Sequence, residues 1–323
     1  MTRRQVTDLD PLRHRPHPLH AADRIFPETN CAADLWIECL ASLGLDPVPG
    51  LAFTLGTDFD GDQWRMFTFP AEDLRRLFGI EMDELNVWRP LGAHLEDQLE
   101  LGNMVIVDVD AWHLPDTAGL TYHCAHQKTS IMVQMLDRGS GRLGYFHNTG
   151  YYELGGEDFS AVVGAEFGPD RAALPPFALS VRLGGMRTDA EAAGAEALAL
   201  AAEHLARRPA GNPVEAMGKR VAHDLPWLRS AGLEAYHRYA FGSLRQCGAN
   251  AELAARFATW LAGFRGPAPL SAAAGFLRVA EAMKRIEFSL ARAVRGRPTD
   301  PELLFADPAT HWAEAHRAIE EVA

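Results

Sequence analysis

The chain has 323 residues, enough for two domains, and its 47% hydrophobic and 23% charged content can bury a real core. No run of about 18 apolar residues reads as a membrane span, and a formal charge of −12 argues against a nucleic-acid partner held by general electrostatics. Four scattered cysteines (Cys31, Cys39, Cys124, Cys247) with no C-x-x-C pair are too few for a disulfide scaffold. The basic start, Met1 to Arg4, leads into polar His/Pro sequence instead of an apolar stretch, so no signal peptide is read and the expected location is cytoplasmic.

Residues 1–24 carry His14, His17 and His20 among Arg and Pro with no apolar period, which predicts a solvated arm. The three histidines lack carboxylate or thiolate partners at ligand spacing, so no metal is expected there. A helix then begins at a Thr29 or Asn30 cap, with Leu35, Trp36, Cys39, Leu40 and Leu43 at helical spacing and Gly44 as its stop. Residues 51–70 read as strands around Asp58-Phe59-Asp60-Gly61-Asp62. That loop has its glycine at the fourth place and Phe69 at the twelfth, which does not fit a calcium loop. Residues 71–101 read as helical. Met104 to Val109, Thr129 to Leu136 and Leu143 to His147 read as strands, the last two forming a hairpin around Asp137-Arg138-Gly139-Ser140-Gly141. From about residue 187 the sequence is Ala-, Leu-, Glu- and Arg-rich, with helices expected over 189–208, 213–223, 227–246, 250–264, 271–295 and 310–322. The expected architecture is α+β: an arm (1–24), an N-terminal domain with an antiparallel sheet (25–186) and an all-helical domain (187–323).

Cys31 falls in the first turn of its helix, where unpaired N–H groups and the helix dipole favour a thiolate and can receive an oxyanion. The competing reading is a small buried hydrophobe. A nucleophilic thiol needs a base, and the densest histidine segment is Tyr122-His123-Cys124-Ala125-His126, directly before a strand. His126 is the expected base. Asn148, at the end of the hairpin's return strand, is the expected orienting residue, with His147, Glu153 and Asp158 as substitutes. A hairpin centred near residue 140 sets His126 opposite about residue 153, so the pairing needs a bulge or a loop before Thr129. His123, Cys124 and His126 also invite a metal reading, but on a strand His123 and His126 point to opposite faces, and no metal is expected.

The run Cys31-Ala32-Ala33-Asp34-Leu35-Trp36-Ile37-Glu38-Cys39-Leu40 with Gly44 resembles the start of the butirosin-biosynthesis acyltransferase family. So do Val107-Asp108-Val109-Asp110, Leu114-Pro115 and His126 with the hairpin after it. That resemblance implies a papain-like N-terminal domain, akin to bacteriocin-processing peptidases, and a helical C-terminal region. Over nearly its whole length the chain also resembles a bacterial family, without an assigned activity, that occurs beside small carrier proteins and amino-acid-loading ligases. The residues carrying this likeness include Glu28-Thr29-Asn30-Cys31, Gly61-Asp62-Gln63-Trp64, Leu114-Pro115-Asp116-Thr117, His126-Gln127-Lys128-Thr129 and Tyr145-Phe146-His147-Asn148-Thr149-Gly150-Tyr151-Tyr152.

What the resemblance implies is an aminoacyl or peptidyl transferase. It would take its acyl group from a carrier protein's phosphopantetheine thioester, through acyl-Cys31, to a small-molecule or peptide amine. It implies no cofactor of the enzyme's own and neither a nucleic-acid nor a membrane partner. The Gln that papain-like enzymes place before the cysteine is missing, Arg24 and Ile25 occupying that stretch, so Asn30 is the nearest amide for the oxyanion. Two rivals remain at this point: a peptidase, amidase or thioesterase using the same dyad, and a catalytically silent carrier- or peptide-binding module. Arg285, Arg292, Arg295 and Arg297 are a candidate basic surface for an acidic carrier, against the simpler reading of a solvated helix face.

Overall fold

The computed structural model describes residues 3–164 and 174–322, so residues 165–173 of the expected N-terminal domain lie outside the described residues. In chain order the elements are β1 (Arg4–Gln5), α1 (Cys31–Ser42), β2 (Phe59–Asp60), β3 (Gln63–Trp64), α2 (Ala71–Phe78), β4 (Glu81–Glu84), α3 (Leu91–Glu100) and β5 (Met104–Asp110). There follow β6 (Lys128–Asp137), β7 (Arg142–His147), β8 (Gly150–Gly155), α4 (Gly156–Val163) and β9 (Ala178–Arg182). The remainder is helical: α5 (Ala190–Ala206), α6 (Pro213–Ala240), α7 (Gln246–Arg265), α8 (Pro269–Val294) and α9 (Pro301–Glu320). The chain divides into two units that trade segments. The first holds Met1–His20, Asn30–Asp46 and Ala71–Asp189; the second holds Ala21–Thr29, Pro47–Pro70 and Ala190–Ala323.

The first unit is built on an antiparallel sheet of order β4-β9-β5-β6-β7-β8, with β1 added beside β6. Alternation along the strands separates its faces. Val105, Val107, Ile131, Val133, Leu143 and Tyr145 form one core with Leu91, Leu95 and Leu99 of α3 and Val162 and Val163 of α4. The alternate residues Met104, Met132 and Phe146 are also fully buried, and Cys39 of α1 brings its Sγ to 3.7 Å from Met104 Sδ. The expected solvated arm is instead packed. His14 and His20 both bond Glu38, His17 N donates to the same carboxylate, and Leu19 and His20 are buried. The physical reason is that α1 carries Asp34 and Glu38 on a buried face, and the arm supplies hydrogen-bond donors to them from His14, His17 N and His20.

In the second unit the helices join Val48–Gly56, which is a 3₁₀ run instead of the expected strand, and the β2–β3 hairpin around Gly61. Trp64 meets Trp312 edge-on, and His316 bridges the carbonyls of Trp312 and Leu55. Arg24 pairs with Glu252 at 3.1 Å, and the same carboxylate accepts from the N–H groups of Ile25 and Phe26. Gly248 lies so close to Phe26 that a Cβ there would stand 2.5 Å from its ring, so only glycine fits. One expected helix break is displaced and another is absent. The chain stays helical through Pro226, where Val221, Leu225 and Leu228 keep the buried stripe continuous, and breaks instead at Gly232 (φ 84°, ψ −175°), so α6 is two helical pieces across a kink. A single π-helical turn, Phe241–Arg245, carries α6 directly into α7. Arg285 pairs with Glu281 and Arg292 donates to Ser289, so these two belong to a solvated helix face with local partners.

Candidate active site

Asn30 has extended backbone angles, φ −151° and ψ 158°, and its side-chain oxygen accepts from Ala33 N at 2.9 Å. It is a true N-cap, and its oxygen is occupied by that role. Cys31 is therefore the first residue of α1, half-buried, at the end where the backbone N–H groups gather. The other thiols differ. Cys39 and Cys247 are fully buried, and burial pushes both well up, holding them as thiols. Cys124 is exposed and donates to the Leu120 carbonyl at 3.2 Å.

His126 lies just before β6, and its Nδ1 donates to Asp110 Oδ2 at 2.6 Å. Its ring stacks on Trp112 with centroids 4.5 Å apart and planes 13° off parallel. Asp110 ends β5, and its other oxygen accepts from Trp112 N at 3.0 Å and Gln127 N at 3.1 Å. Burial would raise this carboxyl, but the hydrogen bonds from His126, Trp112 N and Gln127 N outweigh it and hold Asp110 below its ordinary range. An ionised carboxylate thus fixes the imidazole by one nitrogen and leaves Nε2 for solvent or a substrate; the ring is 73% exposed. Cys31 and His126 share the first unit, but His126's hydrogen bond goes to Asp110 and not to Cys31.

The other expected site residues have different surroundings. Asn148 sits in the tight β7–β8 turn with φ 45° and, continuing the β6–β7 register, is level with Ser130 instead of His126. The bulge that the pairing requires does occur, but between Val133 and Met135, within β6. His147 is buried: its Nδ1 donates to Asp116 at 2.6 Å, its Nε2 accepts from Thr129 at 2.8 Å, and Tyr145 donates to the other Asp116 oxygen. Glu153 pairs with Arg142. Asp158 receives His113, His123 and Tyr122, as described below.

Asp110 is the residue that sequence reasoning passed over as an orienting group. The available signal was a carboxylate closing a strand whose antiparallel partner begins two residues after His126. The register confirms the neighbourhood, since Asp110 faces Lys128 across β5 and β6.

The family model for the DUF1839 N-terminal domain matches residues 15–183, and the one for the DUF1839 C-terminal domain matches residues 190–321. The chain belongs to the DUF1839 family. Its N-terminal family domain carries Cys31, Asp110 and His126 together, while the C-terminal family domain covers α5 to α9. No curated protein matches the chain. Among the described residues no helix is long and apolar enough to cross a membrane.

Proposed function

We propose that this DUF1839 chain is a papain-like cysteine acyltransferase, with Cys31 as nucleophile, His126 as base and Asp110 as the residue that orients His126. The observation that carries the reading is the His126–Asp110 bond, which leaves Nε2 available in the unit that presents Cys31 at a helix N-terminus. Cys31 lies two helical turns, about 12 Å, from Cys39. The reading requires this end of α1 to share a cleft with His126 when substrate is bound.

The proposed substrate is an aminoacyl or peptidyl thioester on a carrier protein's phosphopantetheine arm, and the acceptor is an amine. In the first step Nε2 of His126 takes the Cys31 proton and the thiolate attacks the thioester carbonyl. The tetrahedral oxyanion is met by the Cys31 N–H at the positive end of the α1 dipole. Its collapse breaks the bond to the pantetheine sulfur, which leaves with the proton from His126, and acyl-Cys31 remains. In the second step the amine attacks acyl-Cys31 and gives its proton to His126, which returns it to the departing Cys31 sulfur. Asp110 stays ionised throughout and stabilises the imidazolium.

Alkylation by iodoacetamide, with modified cysteines located by peptide mass, tests the nucleophile. Cys31 is expected to react faster than the exposed Cys124, and His126→Ala to slow Cys31 alone. Equal rates at the two cysteines would contradict the reading and favour a silent binding fold.

A further inference from the structure

The segment between β5 and β6 folds back on itself. Ala111 N donates to the Gln127 carbonyl at 2.8 Å, and His123 N donates to the Trp112 carbonyl at 3.1 Å. The second bond brings His123 beside His113, although they are ten residues apart. Both then converge on one atom: Asp158 Oδ1 lies 3.2 Å from His113 Nδ1 and 3.1 Å from His123 Nε2. The three ligand atoms all lie within 4.8 Å of one another. Around a tetrahedral ion with bonds of about 2.0–2.1 Å, neighbouring ligand atoms stand about 3.3 Å apart, so both contacts to Oδ1 are already near a coordination edge.

The surroundings suit a ligand set. Tyr122 O–H donates to the other Asp158 oxygen at 2.9 Å, which fixes the carboxylate and leaves Oδ1 directed at the histidines. The His123 ring is stacked on Tyr122, with centroids 4.0 Å apart, and its backbone holds φ at 53°, in the left-handed region. Asp158 is 9% exposed, whereas His113 is 30% and His123 49% exposed, so the set is rooted on α4 and open on one side. Two imidazoles and one carboxylate, with a position left for water, are the donors that late first-row divalent cations take.

We infer that His113, His123 and Asp158 form a binding site for a divalent transition cation of the zinc type, tying the β5–β6 segment to α4. This reverses the expectation of no metal, on a ligand set different from the His123, Cys124 and His126 group weighed in the sequence. The inference stands apart from the proposed chemistry at Cys31. The two meet at Trp112, whose ring is stacked on His126 and lies 5.8 Å from His123. A bound ion would therefore steady the platform on which His126 rests.

Titration of the purified full chain with Co2+, followed by visible absorption, tests the site directly. One equivalent should give a ligand-field band that Zn2+ abolishes. His113→Gln and Asp158→Asn should each weaken Co2+ binding at least tenfold, Tyr122→Phe about tenfold, and Cys124→Ser not at all. Absence of the band in the unaltered protein would overturn the inference and leave a histidine–carboxylate hydrogen-bond cluster. So would a band that persists in folded His113→Gln and Asp158→Asn proteins, or one lost in Cys124→Ser.

Discussion

His20 and His126 each give Nδ1 to a carboxylate at 2.6 Å, yet their surroundings divide them. At His20 the second nitrogen is also engaged, donating to Asp34 at 3.3 Å, and His20, Glu38 and Asp34 are all sealed from solvent. Two donating nitrogens require the protonated ring, and its single charge is shared between two buried carboxylates. At His126 one nitrogen is held by Asp110 and the other is exposed. The first ring is fastened at both ends and can only hold the arm to α1. The second can accept a proton and return it. The pairing of residue types is the same in both places. What separates structure from proposed chemistry is the number of nitrogens engaged and the access of solvent to the remaining one.

The largest expected contrast comes from deleting each ring. His126→Ala should lower the rate of Cys31 acylation by a factor on the order of 10²–10⁴, measured by single-turnover mass spectrometry, with unchanged thermal stability. His20→Ala should do the opposite. It leaves buried carboxylates without their cation, and urea denaturation should show a loss of about 3–5 kcal/mol. A small stability loss at His20, or a large one at His126, would break the comparison.

The pH dependence of stability sharpens it. Burial would lower the His20 pKa, but the hydrogen bonds and charges of Asp34 and Glu38 outweigh it and raise the value above 6.5. Its contribution is therefore complete below about pH 6.5 and is lost as pH rises through the raised folded value. Glu38 is opposed by burial but drawn down to about 2 by bonds from His14, His20 and His17 N. Its contribution is present above its ordinary value of 4.5 and is lost as pH falls toward about 2. Both limbs describe one network, so the network should contribute most between about pH 4.5 and 6.5. Urea midpoints across pH should show the alkaline limb in the native chain and its flattening in His20→Gln.

Two smaller effects follow from backbone position. Asn30→Ala removes the α1 cap and should cost about 1 kcal/mol in urea denaturation. Asn148→Gly should stay within about 0.5 kcal/mol of the native stability, because glycine accepts φ 45° freely, and should leave acylation unchanged if Asp110 orients His126.

Much of this was legible where one signal dominated. Met104 to Val109 and the 129–147 hairpin read as strands because short apolar runs bounded by turn residues stand there, and α1 was announced by its cap. The short strand β4, which lies inside the stretch 71–101 read as helical, carried no such signal. Glu81-Met82-Asp83-Glu84 is charged because it is an exposed sheet edge, which hides it from any hydrophobic pattern. The break expected between 213–223 and 227–246 is displaced to Gly232, because the buried stripe of Val221, Leu225 and Leu228 carries the helix past Pro226. The arm histidines were read without Glu38, whose burial only tertiary packing creates. Both clusters on the β5–β6 segment depend on how 17 connecting residues fold, and His113, His123 and Asp158 have no common period that would join them.

The central claim is that Cys31 carries an acyl group, and intact mass after mixing the protein with an aminoacyl-pantetheine thioester tests it most directly. The account predicts a mass gain equal to the acyl group, absent in Cys31→Ala and much slowed in Asp110→Asn and His126→Ala. No adduct at any time, or an adduct that survives in Cys31→Ala, would contradict it.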